Sequence, residues 1–293
     1  MKRIEIRHST HYLFGGEVRL GPHTLLLRPR EGHDLHIPSS SLNIVPKALL
    51  TWRRDFYDNV LAVAAFVDEA TAELIIESRI EAELYDTMPL DFIMEDHALR
   101  FPFDYRPEEY TALAPYLTPV YSDDARLADW LSPYRQAPKH TETFAILDQM
   151  NRRINADLSY EVREEEGVLP PTETLRLGRG SCRDMAALFL EACRRLGIAA
   201  RFVSGYAHGP ATEAGGGATH AWAEVYLPGA GWKGFDPTIA SVVGPDHVPV
   251  AVHRHPEAVP PVAGTFTGPG DLSPELIVDV QINQLPEGGE APG

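Results

Sequence analysis

Cysteine is nearly absent from this chain: 293 residues hold only Cys182 and Cys193. The two sit eleven positions apart on one predicted helix, about 16 Å along its axis, so they cannot bridge each other. A disulfide framework is therefore excluded, and the usage suits a reducing compartment. Positive charge is also scarce. Against 42 Asp and Glu there are 26 Lys and Arg, a formal net charge of −16. That excludes nucleic acid and anionic membrane as general partners, since both need a basic surface. No apolar run is long enough to span a bilayer. The opening Met1-Lys2-Arg3-Ile4-Glu5-Ile6-Arg7-His8 has no apolar segment of the kind that marks a secretory signal. These absences predict a soluble, cytoplasmic protein. Calcium-loop spacing and helical carboxylate–histidine metal motifs are missing too. His247, His253 and His255 come nearest to a metal cluster, but Arg254 between the last two disfavours a cation. No metal and no cofactor is expected.

What is present centres on Gly178 to Gly197. Met185, Leu188, Phe189, Ala192 and Leu196 fall at the spacing of one buried helical face. Ser181 is a predicted N-cap, Asp184 three residues later completes a capping-box-like pattern, and Gly197 is a natural stop. Cys182 then occupies the first helical position, where unpaired backbone N–H groups and the positive end of the helix dipole stabilise a thiolate. A buried cysteine of no reactivity would fit the same helix, so the position alone does not decide.

The rest of the chain supplies context. Residues 1 to about 112 read as antiparallel β, with strands at Ile4–His8, Ser41–Val45, Leu49–Arg53, Val60–Val67 and Leu74–Leu84. Gly15-Gly16 and Tyr57-Asp58-Asn59 carry turn chemistry, and short strands joined by such turns suggest a β-sandwich. The Pro-rich stretch 86–120 reads as an ordered linker. Helices are predicted over Ser122–Leu131 and Thr141–Asn155, the second with Phe144, Leu147, Met150 and Ile154 inward. Residues 113–245 form a second unit, and 246–293 contribute further strands (Val248–Val252, Leu276–Ile282) that complete the fold. The loop Ala207–Ala218, with Gly215-Gly216-Gly217, is flexible enough to act as a lid. The tail from Pro286 is expected to fray.

A hairpin follows, from Thr219 to Tyr226 and from Trp232 to Asp236, with Pro237 as its stop. Two registers are open. Pairing Leu227 with Trp232 puts Asp236 on the face opposite His220. Pairing Tyr226 with Trp232 makes His220 and Asp236 diagonal neighbours on one face, about 8 Å apart at Cα and within side-chain reach. A thiol at a helix start, an imidazole and a carboxylate supply the roles of thiol acyl transfer: nucleophile, proton shuttle and orienter.

Three segments carry a resemblance. Gly180-Ser181-Cys182-Arg183-Asp184, His220-Ala221-Trp222-Ala223-Glu224-Val225-Tyr226 and Gly231-Trp232-Lys233-Gly234-Phe235-Asp236-Pro237-Thr238 resemble, in that order, the core motifs of the bacterial transglutaminase-like superfamily. His8-Ser9-Thr10-His11-Tyr12, Leu25-Leu26-Leu27-Arg28-Pro29-Arg30 and Asp55-Phe56-Tyr57-Asp58-Asn59 resemble the β-domain that precedes this core in many members. The resemblance implies an α+β fold, with a papain-like core whose Cys helix packs on an antiparallel sheet carrying His and Asp. It implies Cys182 as nucleophile, His220 as general base and acid, and Asp236 as orienter. Tyr160 is a candidate for lining the site or assisting the oxyanion, and Trp222 for packing beside the triad. The expected activity is hydrolysis of peptide or amide bonds, with a peptide or protein substrate, amine-bearing in one version. The alternatives are amine transfer as in a transglutaminase and a non-catalytic protein-binding module of the same fold.

Overall fold

The computed structural model describes residues 1–67, 70–85, 88–122, 124–138, 140–163, 165, 167–208, 218–270 and 272–286. Most of the Gly-rich loop read as a lid and the tail beyond Pro286 lie outside the described residues. The N-terminal strands are β1 (Lys2–Leu25), β2 (Leu35–Val45), β3 (Ala48–Arg54), β4 (Val60–Phe66) and β5 (Ala70–Leu84). They form an antiparallel sheet of order β2-β5-β1-β4-β3 that nearly closes on itself. Its long central strand explains the shape. Gly15-Gly16, expected to reverse the chain, instead sits inside β1, where Gly15 takes φ 68° and the register against β5 shifts between Leu13 and Val18. A bulge of this kind bends a strand without ending it. The first half of β1 therefore pairs with β5, and the end of the second with β4.

The helices are α1 (Pro107–Leu117), α2 (Ala125–Arg135), α3 (Thr143–Asp157), α4 (Pro171–Leu177) and α5 (Cys182–Arg195). The helix α1 corrects the linker expected over 86–120. Pro107 stands at its first position, where a missing N–H costs nothing and a fixed φ favours the helix, so proline here starts an element rather than breaking one. Strands β6 (Ala200–Ala207), β7 (Ala218–Leu227), β8 (Gly231–Asp236), β9 (Ser241–Val242) and β10 (His247–His253) form a second antiparallel sheet, of order β9-β8-β7-β6-β10. α5 packs on it with Met185, Leu188, Phe189 and Ala192 buried, and Gly197 ends the helix at φ 81°. The chain then returns to its beginning. β11 (Val262–Thr267), which the sequence did not mark, and β12 (Glu275–Gln284) both pair with β1. No helix among the described residues is long and apolar enough to cross a membrane.

One hydrophobic core is continuous across both sheets, holding Ile4, Ile6 and Ile80 together with Phe189, Phe202 and Val250. Polar contacts fix the docking. The buried Asn59 amide donates to the Val252 carbonyl (2.9 Å) and accepts its N–H (2.8 Å), standing in for a strand beside β10. Arg30 and Asp55 hold that amide in turn, at 2.8 Å each. This explains why turn residues of the N-terminal sheet carry so specific a motif.

His8 makes a second junction: buried, its Nδ1 meets the Tyr206 hydroxyl at 3.1 Å and its Nε2 meets Thr10 Oγ1 at 2.8 Å. Burial pushes its pKa down to about 4. The folded value lies below the unfolded one, near 6.5, so the unfolded chain binds more protons between them. Stability contributed by neutral His8 is complete above that unfolded value and is lost as pH falls towards 4. Urea unfolding at pH 7 and pH 5 should show a loss of about 2 kcal/mol at the lower pH, much reduced in His8→Gln. An equal loss in the variant would assign the step to another group.

Candidate active site

The approach to Cys182 is built from tight local turns. α4 ends at Gly178, and Arg179-Gly180 then runs parallel to Ser159-Tyr160 before Ser181 caps α5. Gly180 is needed for contact: a Cβ there would lie 2.9 Å from Asp184 Cβ and 3.2 Å from Thr174 Cγ2. Asp184, fully buried, accepts the Ser181 N–H at 2.9 Å, as the capping reading expects. It does more than cap. Its carboxylate also takes the Arg163 guanidinium at 2.8 and 3.0 Å and the Leu169 N–H at 2.8 Å. Arg183 donates to the carbonyls of Arg163 (3.0 Å) and Glu165 (2.5 Å). Arg163, Glu165 and Leu169 are thereby pinned to the start of α5. No sequence pattern marks Arg163, which lies in a loop 21 residues from its partner.

The hairpin takes the register with Tyr226 opposite Trp232. That choice puts His220 of β7 and Asp236 at the end of β8 on one face, with His220 Nε2 2.7 Å from Asp236 Oδ2. Asp236 Oδ1 accepts the Thr238 N–H at 2.9 Å. An ionised carboxylate only accepts, so His220 Nε2 carries the proton and Nδ1 is left for the thiol. His220 and Cys182 line the same cleft, and the thiol bears on the imidazole's titration. Burial alone would lower the imidazole pKa, but the bonds to Asp236 and Cys182 and their charges outweigh it and raise the value to about 10. Burial would likewise raise Asp236, but hydrogen bonds from His220 and His247 hold its carboxyl well below the usual range. The arrangement favours the protonated form of His220.

Sequence reasoning considered His247 only as a metal ligand and missed where it goes. Its Nε2 lies 3.0 Å from the same Asp236 Oδ2, and its Nδ1 lies 3.5 Å from the Gly244 N. Gly205, opposite His220 on β6, makes the crossing feasible. A Cβ there would stand 2.3 Å from the Val248 carbonyl oxygen and 2.7 Å from the Trp222 ring. With no side chain in the way, Trp222 packs edge-on against His247, ring centroids 5.2 Å apart. Trp222 itself is fully buried against Val203 and Val252, 6.2 Å from the His220 ring. Tyr160 stands beside Gly180 on the outer pairing, 38% exposed, and is not part of the cleft wall described below.

The three histidines once grouped do not converge. His253 Nδ1 accepts the His255 N–H at 2.9 Å, while His247 faces Asp236. Among the described residues, His220, Asp236 and His247 form the one group of metal-ligand chemistry. Their separations of 2.7 and 3.0 Å are those of direct hydrogen bonds. Ligands about 2.0–2.2 Å from a tetrahedral ion would stand farther apart, so this donor set does not fit one as arranged.

Cys182 and His220 open on a cleft of about 180 Å³ walled by Val168, Phe202, Val259 and Pro260. Glu257 closes one side, its Oε1 accepting the Val168 N–H at 3.1 Å. Cys182 is half-buried there, whereas Cys193 is fully buried and its thiol is pushed well up by desolvation. One thiol is available for chemistry and one is not.

A helix-borne thiol thus shares one cleft with a hairpin-borne His–Asp pair, and an antiparallel β-domain precedes them in the chain. Residues 131–237 match the transglutaminase-like superfamily, and residues 4–83 match the bacterial transglutaminase-like N-terminal region. The chain thus joins a transglutaminase-like core to the bacterial N-terminal region of that superfamily. Uncharacterized proteins of Mycobacterium bovis and Mycobacterium tuberculosis are each 28% identical over 204 residues, covering 66% of this chain and 59% of theirs. This chain therefore spans about three fifths of the length of those curated relatives. A crystal structure described as that of a candidate cysteine protease from Cytophaga hutchinsonii superposes with a TM-score of 0.68 at 17% identity, over 98% of this chain and 92% of the other. At that identity the likeness concerns the fold.

Proposed function

We propose that the protein is a thiol-dependent acyl-transfer enzyme that hydrolyses peptide or amide bonds, with Cys182 as nucleophile, His220 as proton carrier and Asp236 as its anchor. The observation that carries this reading is a single imidazole held 2.7 Å from a buried carboxylate and lining the same cleft as a half-buried thiol. The Cys182 thiolate attacks the substrate carbonyl carbon, and backbone N–H groups at the start of α5 receive the oxyanion. His220 gives its Nδ1 proton to the leaving amine as the C–N bond breaks, leaving an acyl-thioester. Water attacks that thioester, His220 takes the proton, and the thiolate departs with the acid released. An amine in place of water would make a new amide through the same residues. Water is favoured because Cys182 lines a cleft that solvent enters, and transfer to an amine needs water held away.

The test is the rate of alkylation of Cys182 against pH, in wild type and in His220→Ala, with Cys182→Ala as background. The wild-type midpoint should fall well below about 8.5, the value of a free thiol, and return to that range without His220. A free-thiol midpoint in both proteins would remove the nucleophile and leave the binding-module reading in its place.

A further inference from the structure

Resting on that reading, we infer that His247 is a positioning residue of the site, a second imidazole that holds the Asp236 carboxylate in place for His220. Asp236 sits at the end of β8, and its side chain is free to turn about two bonds unless donors hold it. Three do. Thr238 N–H lies on Oδ1 at 2.9 Å, and His220 and His247 share Oδ2 at 2.7 and 3.0 Å. The protonation of His247 is set by its other nitrogen. The Gly244 N–H points at Nδ1, so Nδ1 accepts, Nε2 carries the proton, and that N–H donates to the carboxylate. The ring itself is immobilised: its side chain is 3% exposed, it packs edge-on against Trp222, and β10 anchors its backbone against β6.

Two buried imidazoles on one carboxylate oxygen divide the work. His220 faces the thiol, while His247 lies 6.0 Å from His220 by ring centroid and does not line the cleft. It therefore acts through Asp236. The titratable groups that bear on the carboxylate are His220 from β7 and His247 from β10, with Cys182 of α5 reaching it through His220. Asp246, next to His247 in the chain, is occupied by Lys2 at 2.5 Å. Without the second donor the carboxylate can swing off the His220 axis, the imidazolium is held less firmly, and the thiolate it stabilises is less populated at neutral pH.

His247→Phe keeps a ring against Trp222 and removes the donor; His247→Gln restores an N–H near the same oxygen. The Cys182 alkylation midpoint should rise by a pH unit or more in the Phe variant and return towards wild type in the Gln variant, with unfolding temperatures reported for both. An unchanged midpoint in folded His247→Phe, or a Gln variant as impaired as Phe, would overturn the proposal. A second measurement needs no variant. In ¹⁵N-histidine-labelled wild type, His247 should appear as the Nε2–H tautomer with a downfield ring proton, and an Nδ1–H tautomer would overturn the assignment. If wild type itself shows a free-thiol midpoint, the catalytic reading fails, which is a different result from a depressed midpoint indifferent to His247.

Discussion

Asp236→Asn should slow amide hydrolysis by on the order of 10³–10⁴-fold at pH 7 and alkylation of Cys182 by about thirtyfold. The two figures differ because they read different steps. Alkylation follows the fraction of thiolate, which at pH 7 is a few per cent for a thiol of ordinary pKa near 8.5. In the proposed mechanism, hydrolysis also needs His220 to carry a proton at Nδ1 and deliver it to the leaving amine. Asp236 Oδ2 accepts from both His220 and His247, and Oδ1 from Thr238. An amide has one carbonyl oxygen and an NH₂ group that would face a donor. Part of what holds His220 near 10 is removed, leaving Cys182 alone against the burial that lowers it. The substitution also touches stability, with a definite sign. Asp236 has a folded pKa below its unfolded value, so its contribution is complete above about 3.9 and is lost as pH falls through the folded value. At pH 7 the variant has forfeited it, and the unfolding temperature should be reported beside the rates. An alkylation profile identical to wild type would refute the role given to Asp236.

Asp184→Ala is expected to destabilise the fold by about 3–5 kcal/mol, the range found when one partner of a buried ion pair is removed. The Asp184 side chain is wholly buried and that of Arg163 is 14% exposed. Taking away the carboxylate leaves the guanidinium with only the exposed Glu165 as counter-ion and strands the N–H groups of Leu169 and Ser181. Those groups tie Arg163 and Leu169 to the start of α5, and Val168, next to Leu169, walls the cleft. The loss should therefore be felt in two measurements: a lower denaturant midpoint, and altered alkylation of Cys182 under conditions where the variant remains folded. Asp184→Asn is expected to be milder, since its carbonyl oxygen can still accept one of these bonds. A loss below about 1 kcal/mol for the Ala variant would show that water replaces the carboxylate and that the site is less dry than its burial indicates.

Local patterns in the sequence specified the central helix, the hairpin and the chemistry they offer, but not α1, the continuation of β1 past Gly15-Gly16 or β11. The period of Met185, Leu188, Phe189 and Ala192 specifies a helix with one buried face, and the Ser181–Asp184 pair locates its start, because capping is local and written in adjacent residues. It also narrowed the hairpin to two registers of opposite consequence. The tertiary structure selected the one with Tyr226 opposite Trp232, since a one-residue slip would turn Trp232 and Asp236 to the other face. What the sequence left hidden has a common cause: separation along the chain. Arg163 reaches Asp184 across 21 residues, Asn59 reaches Val252 across 193, and His247 reaches Asp236 from an outer strand of the sheet over a residue with no side chain. Such pairs leave no periodicity to read. They exist because two sheets and one helix share a single core, and packing alone decides which distant polar groups must satisfy one another.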